Sequence, residues 1–117
     1  MNTRKVGQHH ENIATNHLQE LGYKIVEQNY RCRCGEIDII AYEEGYLVFI
    51  EVKYRKNDGS GEAVAAVGFR KQKKICSVAR WYMMEKGLGD EVKSRFDVIG
   101  IEAEKISVIK NAFDFIG

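Results

Sequence analysis

The stretch "GEIDIIAYEEGYLVFIEVKYR", residues 35–55, constrains this chain more than any other. Two runs rich in β-branched and aromatic residues flank Glu44 and Gly45, the pattern of two strands joined by a two-residue hairpin turn. With that turn, residues facing each other across the hairpin have numbers that sum to 89. Asp38 then falls opposite Glu51, and Glu36 opposite Lys53. Side chains two apart share a face, so all four project to one side. Ile37, Ile39, Val48, Ile50 and Val52 make the other side, a core surface. Leu47 and Phe49 lie on the charged side, which implies that this face is covered as well.

Two carboxylates directly opposite one another repel and weaken a sheet. A cation offsets them, and the sequence offers two: Lys53 on the same face, or a divalent metal. Carboxylates, a backbone carbonyl and water are the oxygen ligands Mg²⁺ prefers. An ammonium two residues from the second acid can hold a water or neutralise developing phosphate charge. The plainer account places these charges on a solvated face, with Lys53 in a cross-strand ion pair. The register itself is an assumption, since a one-residue bulge would send the acids to opposite faces.

Length bounds the rest: 117 residues make one domain, 1–117, large enough to bury a core without staples. The net charge of +1 exerts no global pull on nucleic acid or membrane, so any basic surface is local. The first residues lack the apolar run of a signal peptide, and no segment is apolar enough to span a bilayer. Three cysteines, an odd count without a secretion signal, point to reduced thiols and a cytoplasmic location. "CRC", Cys32 to Cys34, is half of a zinc pattern without its second half.

Around the hairpin, residues 5–21 read as a helix stopped by Gly22, and "YKIVEQNY" as a first strand. After "KNDGSGE" comes a long helix from Val64 to Lys86, ended by Gly87. "SRFDVIGIEA" and "KISVIK" are the last two strands, and "NAFDFIG" is a short apolar clasp. The order αβββαββ predicts an α/β fold with helices flanking a mixed sheet. In the second helix Lys71, Ile75, Val78 and Tyr82 follow one stripe, so Lys71 heads a buried face and either snorkels outward or reaches a functional centre. His10 and His17 fall on the apolar side of the first helix and read as packing residues. Arg95 and Asp97 share a face of the fourth strand and read as an internal ion pair.

An acid on one strand and Glu-x-Lys on the next, after a helix bearing another acid, resembles the PD-(D/E)XK nuclease superfamily. "GQHHENIATNHLQELGY", "QNYRCRCGEIDIIA", "LVFIEVKYR", "RKQKKI", "RFDVIGI" and "NAF" together resemble the YraN-like family of uncharacterised bacterial proteins over nearly the full length. The resemblance implies a restriction-endonuclease-like core similar to archaeal Holliday-junction resolvases. It implies Mg²⁺, with Mn²⁺ as a substitute, held by Asp38, Glu51 and the Val52 carbonyl, and Lys53 positioning the attacking water. Glu11 matches the acid of the first helix in those enzymes. Lys71 and Gln72 match the helix that adds a Lys or Gln to the site, and Arg55 and Lys74 join them in nucleic-acid contact. The superfamily's leading proline is absent, since Ile37 precedes Asp38.

The expectation is therefore a metal-dependent endonuclease acting on DNA, directed by shape and not by base sequence, with no membrane partner. Symmetric cutting of a junction would need a homodimer. The rival readings are a nucleic-acid-binding module that does not cleave, and a protein-interaction adaptor on the same fold.

Overall fold

The structure, a computed structural model, describes residues 3–55, 67–103 and 105–116, with side chains of 3–8 and of Arg55 outside the description. Helix α1 spans Thr3–Glu20. Strands β1 (Lys24–Cys32), β2 (Gly35–Glu43) and β3 (Tyr46–Arg55) follow. Helix α2 is Phe69–Glu85, and β4 (Ser94–Glu102) and β5 (Lys105–Phe113) complete the described chain. The "KNDGSGE" segment and Val64 lie outside the described residues. The second helix begins later than its periodicity indicates, because Val67 lies outside the helix and Gly68, in an extended conformation, is the N-cap. The last strand runs longer than expected and takes in Asn111 to Phe113.

The five strands lie in sequence order in one mixed sheet. Every neighbouring pair is antiparallel except β3 and β4, which run parallel through the crossover that contains α2. This is the α/β architecture and the αβββαββ order expected from the sequence.

Both faces of the sheet are covered. Ala14 and Leu18 of α1 pack with Tyr23, Ile39, Ala41, Val48, Ile50, Ile99 and Ile101. On the opposite face Ile75, Val78, Ala79 and Tyr82 of α2 pack with Ile40, Leu47, Phe49, Phe96 and Val98. Each buried Leu, Ile or Phe contributes about 1.5–3 kcal/mol. Both helices stop in the same way. Tyr23 N–H bonds to Leu18 O, and Leu88 N–H to Met83 O, with Gly22 (φ 98°) and Gly87 (φ 65°) supplying the left-handed residue.

The hairpin has the register read from its turn. Glu43 pairs with Tyr46, Ala41 with Val48 and Ile39 with Ile50. Glu44 (φ 51°) and Gly45 (φ 84°) both take positive φ, as a type I′ turn requires.

Candidate functional site

The β2–β3 ladder runs only as far as Ile39 and Ile50. One step further Asp38 does not pair with Glu51 through the backbone. Its Oδ2 accepts the Val52 N–H at 2.7 Å, so a side chain stands where a main-chain carbonyl would continue the ladder. Beyond this point β3 stays paired with β4, Val52 with Ile99 and Lys53 with Gly100. β2 stays paired with β1, Ile37 with Tyr30. The sheet thus forks between β2 and β3.

Side-chain alternation breaks at the fork. Ile37 packs in the α2-side core and Ile39 in the α1-side core, although residues two apart ordinarily share a face. The expected common surface of Ile37 and Ile39 is corrected accordingly: the backbone turns at Asp38, and its carboxylate enters the gap. Glu36 faces Arg31 on β1, its carboxylate 3.1 Å from Arg31 Nε, and not Lys53.

Inside the fork Asp38 and Glu51 interact side chain to side chain. Burial pushes the Asp38 pKa up to about 7, helped by the charge and hydrogen bond of Glu51 and by the charge of Glu36, while the Val52 N–H opposes the rise. The two acids therefore hold each other in a state that a cation would relieve. Glu51 is buried, 9% exposed. From the other side α2 brings Lys71, whose Nζ lies 3.7 Å from Glu51 Oε2. The lysine that heads a buried stripe thus reaches the acid pair.

Lys53 is half-buried two residues beyond Glu51, on the same side of β3. Among the described residues it has no ion-pair partner, so the cross-strand pair with Glu36 does not form. Glu11, half-buried on α1, stands by Asn29, a β1 residue with φ 53°. Its pKa is raised, first by burial and then by the charges of Asp38 and Glu36, against the hydrogen bond from Asn29. The first helix therefore contributes a third carboxylate within electrostatic reach of the fork.

Gln72 turns away from the acids. Its Nε2 donates to Val67 O at 2.9 Å and secures the entry to α2. Lys74 lines a cleft of about 400 Å³ with Arg31, Cys32, Gly35, Glu36, Lys71 and Ile75. Arg31 was not singled out in the sequence, since an exposed arginine at a strand end carries no local signal. The cleft is floored by the β1–β2 turn and walled by α2, and Lys71 joins it to the acid pair. The Arg55 side chain lies outside the described residues.

The oxygen set at the fork fits Mg²⁺, which is bound through one or two carboxylates together with waters and substrate phosphate. Asp38 and Glu51 would supply the carboxylates. Among the described residues no group of three His, Cys, Asp or Glu side chains forms a ready-made metal cage.

The opposite end of the hairpin carries a different charge cluster. Arg95 Nε lies 3.0 Å from Asp97 Oδ1, and Arg95 Nη2 lies 2.5 Å from Glu43 Oε1. Lys110 Nζ reaches Glu43 Oε2 at 3.0 Å. The Tyr23 hydroxyl donates to Asp97 Oδ2 at 2.6 Å, and Asn111 N–H to Asp97 Oδ1 at 2.9 Å. Burial alone would raise the Glu43 pKa, yet Arg95 and Lys110 together hold it below its ordinary value. Every member is paired, so the cluster is a structural clamp joining β2, β4, β5 and the end of α1. The expected Arg95–Asp97 pair is its centre.

Comparison with known proteins gives a consistent family. A family model described as "Uncharacterised protein family UPF0102" matches residues 10–101. A "UPF0102 protein" of Lachnoclostridium phytofermentans is 47% identical over 117 residues, covering 100% of this chain and 99% of the relative. Relatives of the same description occur in Legionella pneumophila (44% identical, 96% of this chain and 97% of the relative) and Syntrophus aciditrophicus (44%, 97% and 90%).

Proposed function

The chain belongs to the UPF0102 family of uncharacterised proteins, and for this member we propose a metal-dependent endonuclease that hydrolyses phosphodiester bonds of DNA. The observation that carries the reading is the meeting of Asp38 and Glu51 at the fork, with Lys71 at 3.7 Å from Glu51. A domain of this size has no structural need for two abutting buried carboxylates, and opposed acids beside lysines match a centre that handles phosphate and cation together.

Asp38 and Glu51 would hold Mg²⁺ or Mn²⁺ at the fork, where the Asp38 carboxylate also accepts the Val52 N–H. When bound, the metal supplies Lewis-acid polarisation of the phosphodiester. Lys53 stands beside Glu51 to orient the attacking water and to offset charge on the phosphate. Lys71, half-exposed between acid and cleft, steers the phosphate inward, and Lys74 and Arg31 bind the flanking backbone. Glu11 adds negative potential on the α1 side. The substrate lies in the cytoplasm, and among the described residues no helix is long and apolar enough to cross a membrane.

The test is incubation of the purified protein with labelled single-stranded, duplex, flap and four-way-junction DNA, with Mg²⁺ or Mn²⁺. Cleavage that needs the metal and is lost in folded Glu51→Ala supports the reading. Binding that survives that substitution, with no cleavage of any substrate, would leave a non-cleaving nucleic-acid module.

A further inference from the structure

A second cavity, of about 350 Å³, lies on the α1 side of the sheet, lined by His9, His10, Ile13, Tyr54, Ile101, Ala103 and Ile106. Three features define what it can hold. Among the described residues its lining contains no Asp, Glu, Lys or Arg, although the chain is 30% charged, so it suits a neutral group and not a phosphate or a cation. Its size is at the low end for a ligand pocket, room for one ring system. Its polar edge consists of His9 and His10, whose ring nitrogens can donate or accept hydrogen bonds.

An aromatic platform already stands there. The His10 and Tyr54 rings stack with centroids 3.5 Å apart and planes 23° from parallel. Tyr54 remains 38% exposed, large for an aromatic at the end of a central strand. A planar heterocycle laid on this pair would find isoleucine side chains around it and imidazoles at its rim.

Position ties the cavity to the fork. Tyr54 follows Lys53 directly, so the two side chains leave β3 on opposite faces. On α1, His10 precedes Glu11, whose carboxylate feels the charge of Asp38. His10 and Glu11 are thus consecutive on α1, and Tyr54 lies three residues beyond Glu51 on β3.

We propose that the His10–Tyr54 cavity receives one unstacked nucleobase of the strand whose phosphate lies at the fork. The substrate class is then DNA that is single-stranded or frayed beside the reacting phosphate. This deepens the endonuclease reading and rests on it for the identity of the polymer, but its test does not require cleavage.

The test is equilibrium binding by fluorescence anisotropy without divalent metal. The probes are a single-stranded oligonucleotide of about 12 nucleotides, the same strand with its bases replaced by abasic sites, and the matching duplex. Tyr54→Ala should weaken single-strand binding about tenfold, the usual order for one lost base stack. It should leave abasic and duplex binding unchanged, and Tyr54→Phe should bind as the unsubstituted protein does. In that protein, a strand carrying 5-iodouracil should photo-crosslink to the peptide containing His10 or Tyr54. Equal single-strand affinity in Tyr54→Ala, an equal loss on all three probes, or crosslinks mapping only to α2 would each overturn the proposal. So would failure of the unsubstituted protein to bind the single strand. A protein that fails to cleave yet shows the Tyr54 pattern would refute the nuclease reading and leave the base cavity standing.

Discussion

The Val52 N–H donates to Asp38 Oδ2 at 2.7 Å, across the first rung at which β2 and β3 no longer pair through their backbones. This bond stands where the next main-chain rung would be and satisfies the Val52 amide at the fork. The same carboxylate abuts Glu51, so one group both ends the β2–β3 ladder and forms half of the acid pair.

Asp38 gives a stability prediction with a definite sign. Its folded pKa of about 7 lies above the ordinary 3.8, so between those values the folded protein binds more protons than the unfolded chain. Stability contributed by this group is therefore present at low pH and falls as pH rises through that window, levelling off above it. Asp38→Asn keeps an acceptor for Val52 and removes the penalty. Thermal melting should show a gain of about 5 °C near pH 8 and little change near pH 4. A gain of equal size at both would contradict the assignment.

Lys71 should behave as a contact and not as a support. Its side chain is 42% exposed and its pair with Glu51 is long, so Lys71→Ala should cost less than about 1 kcal/mol of stability. DNA affinity should fall, and the slope of log affinity against log salt should decrease by about 1 as one phosphate contact is lost. Anisotropy titrations over a salt series measure this, and an unchanged slope would remove Lys71 from the interface.

Arg95 lies in the clamp. Arg95→Met leaves Glu43 and Asp97 buried without their shared cation, at a cost of about 3–5 kcal/mol. Because small domains are stable by only about 5–15 kcal/mol, urea unfolding should show an early midpoint. Lys110→Met, at the half-exposed edge of the same cluster, should cost about 1 kcal/mol or less. Equal losses from the two would mean that the clamp is not centred on Arg95.

Glu51→Gln separates charge from shape at the fork. It removes one carboxylate from the pair while keeping a side chain of nearly equal volume. The midpoint of Mn²⁺ binding in calorimetric titration should shift to at least tenfold higher concentration, the usual order for a lost metal contact. Unaltered Mn²⁺ binding would place the cation elsewhere.

Much of this was legible before any coordinates. Glu44 and Gly45 set the register because two-residue turns admit few geometries, and the hydrophobic stripe containing Lys71 pointed inward because helical period is reliable over about three turns. The departure at Asp38 was not legible. Alternation in a sequence says which face a residue takes in a regular ladder, and nothing in the letters marks where the ladder stops. Glu43 was also hidden, since its partners Arg95 and Lys110 lie 52 and 67 residues away. His10 was legible as a packing residue, but its partner Tyr54 was not: a stack between a helix and a distant strand leaves no local period.

The type I′ turn at Glu44 and Gly45 has a consequence for how such a chain can change over generations. Surface turns usually accept insertions, because nothing beyond them depends on their length. Here the turn indexes the pairing of β2 with β3, and one added residue that slipped the register would carry Glu51 to the opposite face from the fork. The register therefore constrains the number of residues in this turn more than the charge at Glu44. The permissible edits of a loop are thus dictated by two acids at the far end of its hairpin.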